Sequence, residues 1–118
     1  MQYMLMCFFD ENRWAGLPEA TRRQLMQDYN ELIREIGRSS RLRGSVKLRP
    51  STVSTTLREW GGKLLITDGP FAETREQLGG YHLVECDNLD EALALARRIP
   101  TVRAGGSIEV RPVEERYA

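Results

Sequence analysis

Proton-moving side chains cluster around position 70 of this 118-residue chain, and the case for chemistry begins with them. Asp68 stands directly before Gly69, Pro70 and Phe71. A carboxylate at the mouth of a tight turn can serve as a general base or anchor a polar ligand group. It can equally accept backbone N–H bonds as an Asx-turn. The two roles are compatible, since a turn can aim a carboxylate into a cleft. Glu73 and Arg75 follow on the same connector. Arg75 is suited to an anionic substrate group or to an ion pair with Glu73 or Asp68. Tyr81 is a candidate proton donor, or a packed aromatic with a bonded hydroxyl. His82, the single histidine, has the parity of Val84 and Cys86 and is expected on a packed face. There it is either a satisfied core histidine or a catalytic one. His, Asp and Glu do not recur at metal-ligand spacing, so neither a metal nor a cofactor is expected.

The elements that must hold these residues are readable in order. Tyr3–Phe9 is continuously apolar and too short for a free-standing helix, which makes it a strand buried on both faces. Asp10 follows it. Pro18 and Glu19 open a helix whose stripe is Leu25, Tyr29, Leu32, Ile33 and Ile36, with Gly37 near its stop. From Leu42 the period is two: Leu42, Val46 and Leu48 on one face, Arg41, Arg43, Lys47 and Arg49 on the other. Charge on one face of an edge strand keeps that edge solvated, and the same stripe can bind an anion. Residues 52–59 and 63–67 flank Trp60-Gly61-Gly62 as a hairpin. Gly79-Gly80 reads as a flexible joint before a strand at 81–86. Asn88 with Glu91 resembles a capping box opening a second helix, which Pro100 stops, and Ser107–Val113 alternates as a last strand.

The resulting order, βαβ, hairpin, βαβ, predicts a single α+β domain over residues 1–118 with a ferredoxin-like antiparallel sheet and two helices on one face. Strands 3–9 and 63–67 are expected to run one way, and 81–86 and 107–113 to run back. That brings Asp10, Asp68, Tyr81 and His82 to one end of the sheet beneath Glu73 and Arg75, a place where pockets form. Helices cover only one face, so the apolar second face calls for a second copy of the chain.

Seventeen basic and seventeen acidic residues cancel, which argues against bulk electrostatic binding to nucleic acid. No apolar run is long enough to cross a bilayer, and the opening segment lacks the charged start and cleavage site of a signal peptide. The two cysteines do not make a secreted disulfide framework, and a cytoplasmic location is expected. Cys7 and Cys86 should stay reduced, about 10–15 Å apart at ~3.3 Å per strand residue.

The segment from Asp68 to Tyr81, DGPFAETREQLGGY, resembles the signature of the YCII-related, or DGPF-domain, family. Tyr3-Met4-Leu5, Asp90-Glu91-Ala92 and Ile108 to Pro112 agree with it. The resemblance implies a dimeric α/β barrel of bacterial origin, associated in many relatives with extracytoplasmic-function sigma factors. It also implies, for some relatives, a His–Asp pair whose acid comes from the motif that here contains Asp68. Two functions follow as expectations. One is a small-molecule-binding homodimer using Asp68, His82 and Tyr81 for acid–base chemistry and Asp10, Phe71, Glu73 and Arg75 for binding. The other is a non-enzymatic accessory protein acting on a sigma factor.

Overall fold

Alternation decides how the first strand is used. In the computed structural model, which describes all 118 residues, β1 (Gln2–Phe9) buries Tyr3, Leu5 and Cys7 and leaves the residues between them half-buried. The buried set faces the helices, because Leu32 and Ile36 of α2 (Glu19–Arg38) join it in one core. Between them α1 (Glu11–Ala15), a single short helix, is capped by Asp10, whose Oδ1 accepts from the backbone N–H groups of Asn12 and Arg13 at 3.0 and 3.1 Å. The chain continues through β2 (Leu42–Lys47), a 3-10 turn at Ser51–Val53, and β3 (Thr55–Trp60). It then runs through β4 (Lys63–Asp68), β5 (Gln77–Glu85), α3 (Leu89–Arg97), α4 (Pro100–Arg103) and β6 (Ser107–Pro112).

Four strands form the antiparallel sheet in the order β2-β5-β1-β6, the ferredoxin-like arrangement expected. The strand that runs alongside β1's direction is β2, however, and not residues 63–67. β3 and β4 pair only with each other and leave the sheet as an arm. The turn at its tip has Gly61 and Gly62 at φ 56° and 77°, the paired positive angles of a tight hairpin.

The second helix opens as the capping pattern requires, with the Asn88 side chain accepting from the Glu91 N–H at 2.9 Å. Its Ala92 and Ala96 are buried, and Ile99 completes that wall of the core. Pro100 does end α3, but it also occupies the first turn of α4, where its missing N–H costs nothing. Two layers result, and the molecule is only 20 Å thick. Its radius of gyration is 16.1 Å, against about 13.5 Å for a compact chain of this length. The projecting arm accounts for the excess.

Two local irregularities re-aim side chains. A bulge between Leu42 and Gly44 shifts the register of β2 against β5. Beyond it Ser45 pairs with His82 and Lys47 with Gly80 on the helix-covered face, while Val46 pairs with Tyr81 on the other. The expected apolar stripe Leu42–Val46–Leu48 is therefore broken. A second irregularity lies between Cys7 and Phe8, opposite Gly79. Gly79 and Gly80 are strand residues, not a joint. A Cβ on Gly79 would overlap the Phe9 ring, and one on Gly80 would overlap the Val46 carbonyl. The cysteines are both free and buried. Cys7 pairs with Gly80, whereas the Cys86 N–H bonds the Met1 carbonyl, so six strand residues, about 20 Å, separate them. That is farther than expected.

Candidate functional site

His82 is the one charged or polar side chain in the buried set, at 3% exposure. Burial of an imidazole disfavours its charged form, and here desolvation lowers the His82 pKa to about 4. Both ring nitrogens are engaged. Ser45 Oγ lies 2.8 Å from Nδ1, and the Tyr29 hydroxyl makes a short hydrogen bond with Nε2. A neutral imidazole donates at one nitrogen and accepts at the other, so the two hydroxyls must play opposite roles. Tyr29 comes from the middle of α2, packed at a tilt against the imidazole with ring centroids 5.6 Å apart. Ser45 comes from the edge strand β2, turned inward by the bulge.

Beyond Tyr29 lies a cavity of about 110 Å³ between the Phe9 end of the sheet and the helices α1, α2 and α4. Phe9, Trp14, Leu25 and Met26 give it apolar walls. The first two meet edge to face at 6.1 Å. Gly79 and Gly80 line the sheet side, where the Phe9 ring and the Val46 carbonyl occupy the positions their Cβ atoms would take. Its polar groups are the Tyr29 hydroxyl, the Cys7 thiol, Thr101 and Lys47. Cys7 Sγ is 4.0 Å from the Tyr29 oxygen. Burial pushes the Cys7 thiol up, against the opposing pull of the Tyr29 and Thr101 hydroxyls. Burial, then the Cys7 charge, pushes Tyr29 up as well. Tyr29, Cys7 and His82 are all uncharged at neutral pH as a result. Apart from Lys47, such a site offers neutral hydrogen-bond donors and acceptors.

The residues singled out from sequence do not converge. His82 is where its parity put it, on the packed face, and touches the cavity only through Tyr29. Tyr81 lies on the opposite face of the same strand, paired with Met6 and Val46. Asp10 is a helix cap. Asp68 is exposed at the base of the arm, paired with Thr55. Its neighbour Gly69, at φ 99°, donates its N–H to the Ser54 carbonyl at 2.7 Å. Phe71 is 74% exposed, and only its carbonyl is held, by Arg58 at 3.2 Å. Glu73 and Arg75 are exposed and take part in none of the ion pairs. The expected gathering fails because the hairpin that carries Asp68 is not a sheet strand.

The arm is nevertheless fastened close to the cavity. Glu11 of α1 accepts hydrogen bonds from the Ser51 N–H, at 2.8 Å, and from its hydroxyl. Gln77 Oε1 accepts from the Glu11 N–H at 2.9 Å, and Leu48 donates to the Gly79 carbonyl at 2.9 Å. Sequence reasoning missed Tyr29, Ser45 and Cys7 as site residues, and saw Lys47 only as part of a stripe that can bind an anion. Tyr29 carried the one available signal, a hydroxyl inside an apolar helical stripe.

No helix is long and apolar enough to cross a membrane. The fold is shared with 5-chloro-2-hydroxyhydroquinone dehydrochlorinase from Burkholderia phenoliruptrix AC1100, solved with 2,5-dihydroxybenzoquinone. The TM-score is 0.57 at 11% identity, over 97% of this chain and 94% of that one. An uncharacterized protein of Rhizobium meliloti (strain 1021) is 37% identical over 114 residues, which is 96% of this chain and 92% of the relative. The YCII-related domain matches residues 1–116, and with that span the chain belongs to the YCII-related domain family.

Proposed function

We propose that this domain binds a small, mostly apolar organic molecule of single-ring size in the cavity beside Tyr29. The observation that carries this reading is the lining itself: four large apolar side chains around the Tyr29 hydroxyl and the Cys7 thiol. A cavity of about 110 Å³ is comparable to one of roughly 150 Å³ that accepts benzene. The fold relative, which holds a six-membered hydroxyquinone ring, supports the same class of ligand. The test is thermal unfolding with monocyclic phenols and 2,5-dihydroxybenzoquinone, beside an Ala104→Phe variant that fills the cavity. Ligand should raise the wild-type Tm and leave the variant's unchanged. Equal shifts in both proteins, or none in the wild type, would sink the reading.

We further propose that the working unit is a homodimer in which the arm packs on a second copy. Leu57, Leu64 and Ile66 share one face of the arm and are 65%, 64% and 66% exposed. A lone two-stranded hairpin is marginal in water, and this one carries its apolar face into solvent. Trp60 and Leu65 expose further apolar surface on the arm's other face, and contiguous exposed apolar patches mark interaction sites. The sheet's uncovered face offers Met4, Met6, Tyr81 and Leu83, all half-buried, and zero net charge sets up no repulsion between copies. Light scattering should give twice the chain mass for the wild type and a monomer for Leu57→Asp/Ile66→Asp. A monomeric wild type would overturn this and leave the arm to a different protein.

A further inference from the structure

We propose that Ser45, His82 and Tyr29 form a proton relay from solvent to the cavity, with Tyr29 donating to an oxygen of the bound molecule. The proposal rests on the cavity being a ligand site. To that reading it adds the proton path and the ligand's chemical class, a single ring bearing a phenolate or enolate oxygen.

The path has no gap. Ser45 is exposed and sits on the outermost strand of the sheet. Its hydroxyl meets His82 Nδ1, and His82 Nε2 meets Tyr29, which lines the cavity. A histidine needing partners only for burial would be satisfied by any two polar groups. Here one partner faces water and the other faces the cavity. Within the protein, the Tyr29 oxygen has only the weak Cys7 contact at 4.0 Å besides His82. It therefore keeps hydrogen-bonding capacity for a ligand.

The transfer balances. Tyr29 gives its hydroxyl proton to the ligand oxygen and takes the proton from Nε2. Nδ1 takes the proton from Ser45, which recovers one from water and leaves hydroxide in solvent. Tyr29, His82 and Ser45 each lose one proton and gain one, and the phenolate or enolate oxygen that receives the proton is neutralised, so no charge stays in the core, where it would be costly. The imidazole ends in its other tautomer, and a transfer in the opposite direction restores it. The relay thus suits a ligand whose oxygen is protonated from the enolate or phenolate form in one step and gives that proton back in another.

Two measurements test this. In the first, solvent exchange of the Tyr29 hydroxyl proton is followed by NMR without ligand. In Ser45→Ala the exchange must wait on local opening and slows by roughly tenfold or more, with the spectrum otherwise native. Equal exchange rates in the two proteins would overturn the relay. In the second, 4-nitrophenolate is the probe, its absorption band moving when the phenolate oxygen accepts a hydrogen bond. Tyr29→Phe should weaken binding roughly tenfold and abolish the band shift. Lys47→Ala, which removes the cavity's cation, should weaken binding and keep the shift. A shift that persists in Tyr29→Phe would refute the donor role. Slowed exchange in Ser45→Ala with no wild-type binding would uphold the proton path and refute the cavity reading beneath it.

Discussion

Acidification should destabilise this protein through one residue before any other. The folded-state His82 pKa is about 4, while an unfolded chain leaves histidine near ~6.5. The unfolded state therefore binds more protons below that value, and stability falls as pH falls. His82's contribution is complete above about pH 6.5 and gone below about pH 4. Between pH 7 and pH 5 the two pKa values give a loss of about 2 kcal/mol. The whole window gives about 3 kcal/mol. Against a total of roughly 5–15 kcal/mol this is a large fraction. No second histidine blurs the upper window. Glu85, lowered chiefly by its hydrogen bond to the chain's amino group, adds its own loss only below the ordinary Glu value of 4.5. Urea unfolding followed by circular dichroism, at fixed protein concentration, should lose on the order of 1 M in midpoint between pH 7 and pH 5. His82→Gln should be less stable at pH 7 and nearly flat across that interval. A wild-type midpoint that does not move, or an equal slope in His82→Gln, would refute the assignment of a buried neutral imidazole.

Other outcomes follow from the geometry. Asp68→Asn should fold normally and leave binding of monocyclic phenols unchanged, read by the same thermal shifts, because Asp68 is outside the cavity lining. A lost shift would restore the motif carboxylate to the site. Asn88→Ala removes the cap of α3 and should cost about 1 kcal/mol in urea unfolding. Gly80→Ala forces a methyl against the Val46 carbonyl and should cost about 1–3 kcal/mol, with the β2–β5 pairing loosened in amide exchange.

Much of the fold was legible because its signals are local and consistent. The strand at 3–9 (buried on one face and half-buried on the other, not buried on both), the α2 stripe, the Asn88 cap and the parity of His82 with Val84 hold. What was lost depended on distant partners. Nothing in the hairpin's own residues says whether β4 joins the sheet, and that single choice moved Asp68 away from β1. The β2 bulge is likewise a property of pairing, and it exchanged the faces of Ser45 and Val46. Gly79-Gly80 looked like a hinge because the Phe9 ring and Val46 carbonyl that forbid side chains there come from other strands. Asp10 looked like a ligand-binding carboxylate for want of seeing the five-residue helix it caps.

The chain's two indoles stand at separate stations. Trp14 lines the cavity, and Trp60, 75% exposed, sits at the tip of the arm. Emission from this protein is therefore the sum of two reporters with different surroundings. An aqueous quencher reaches Trp60 first, and loses that access when another surface covers the arm. In Trp60→Phe the remaining emission belongs to Trp14, a native fluorophore whose signal follows the arrival of a quinone or nitrophenol with no label attached.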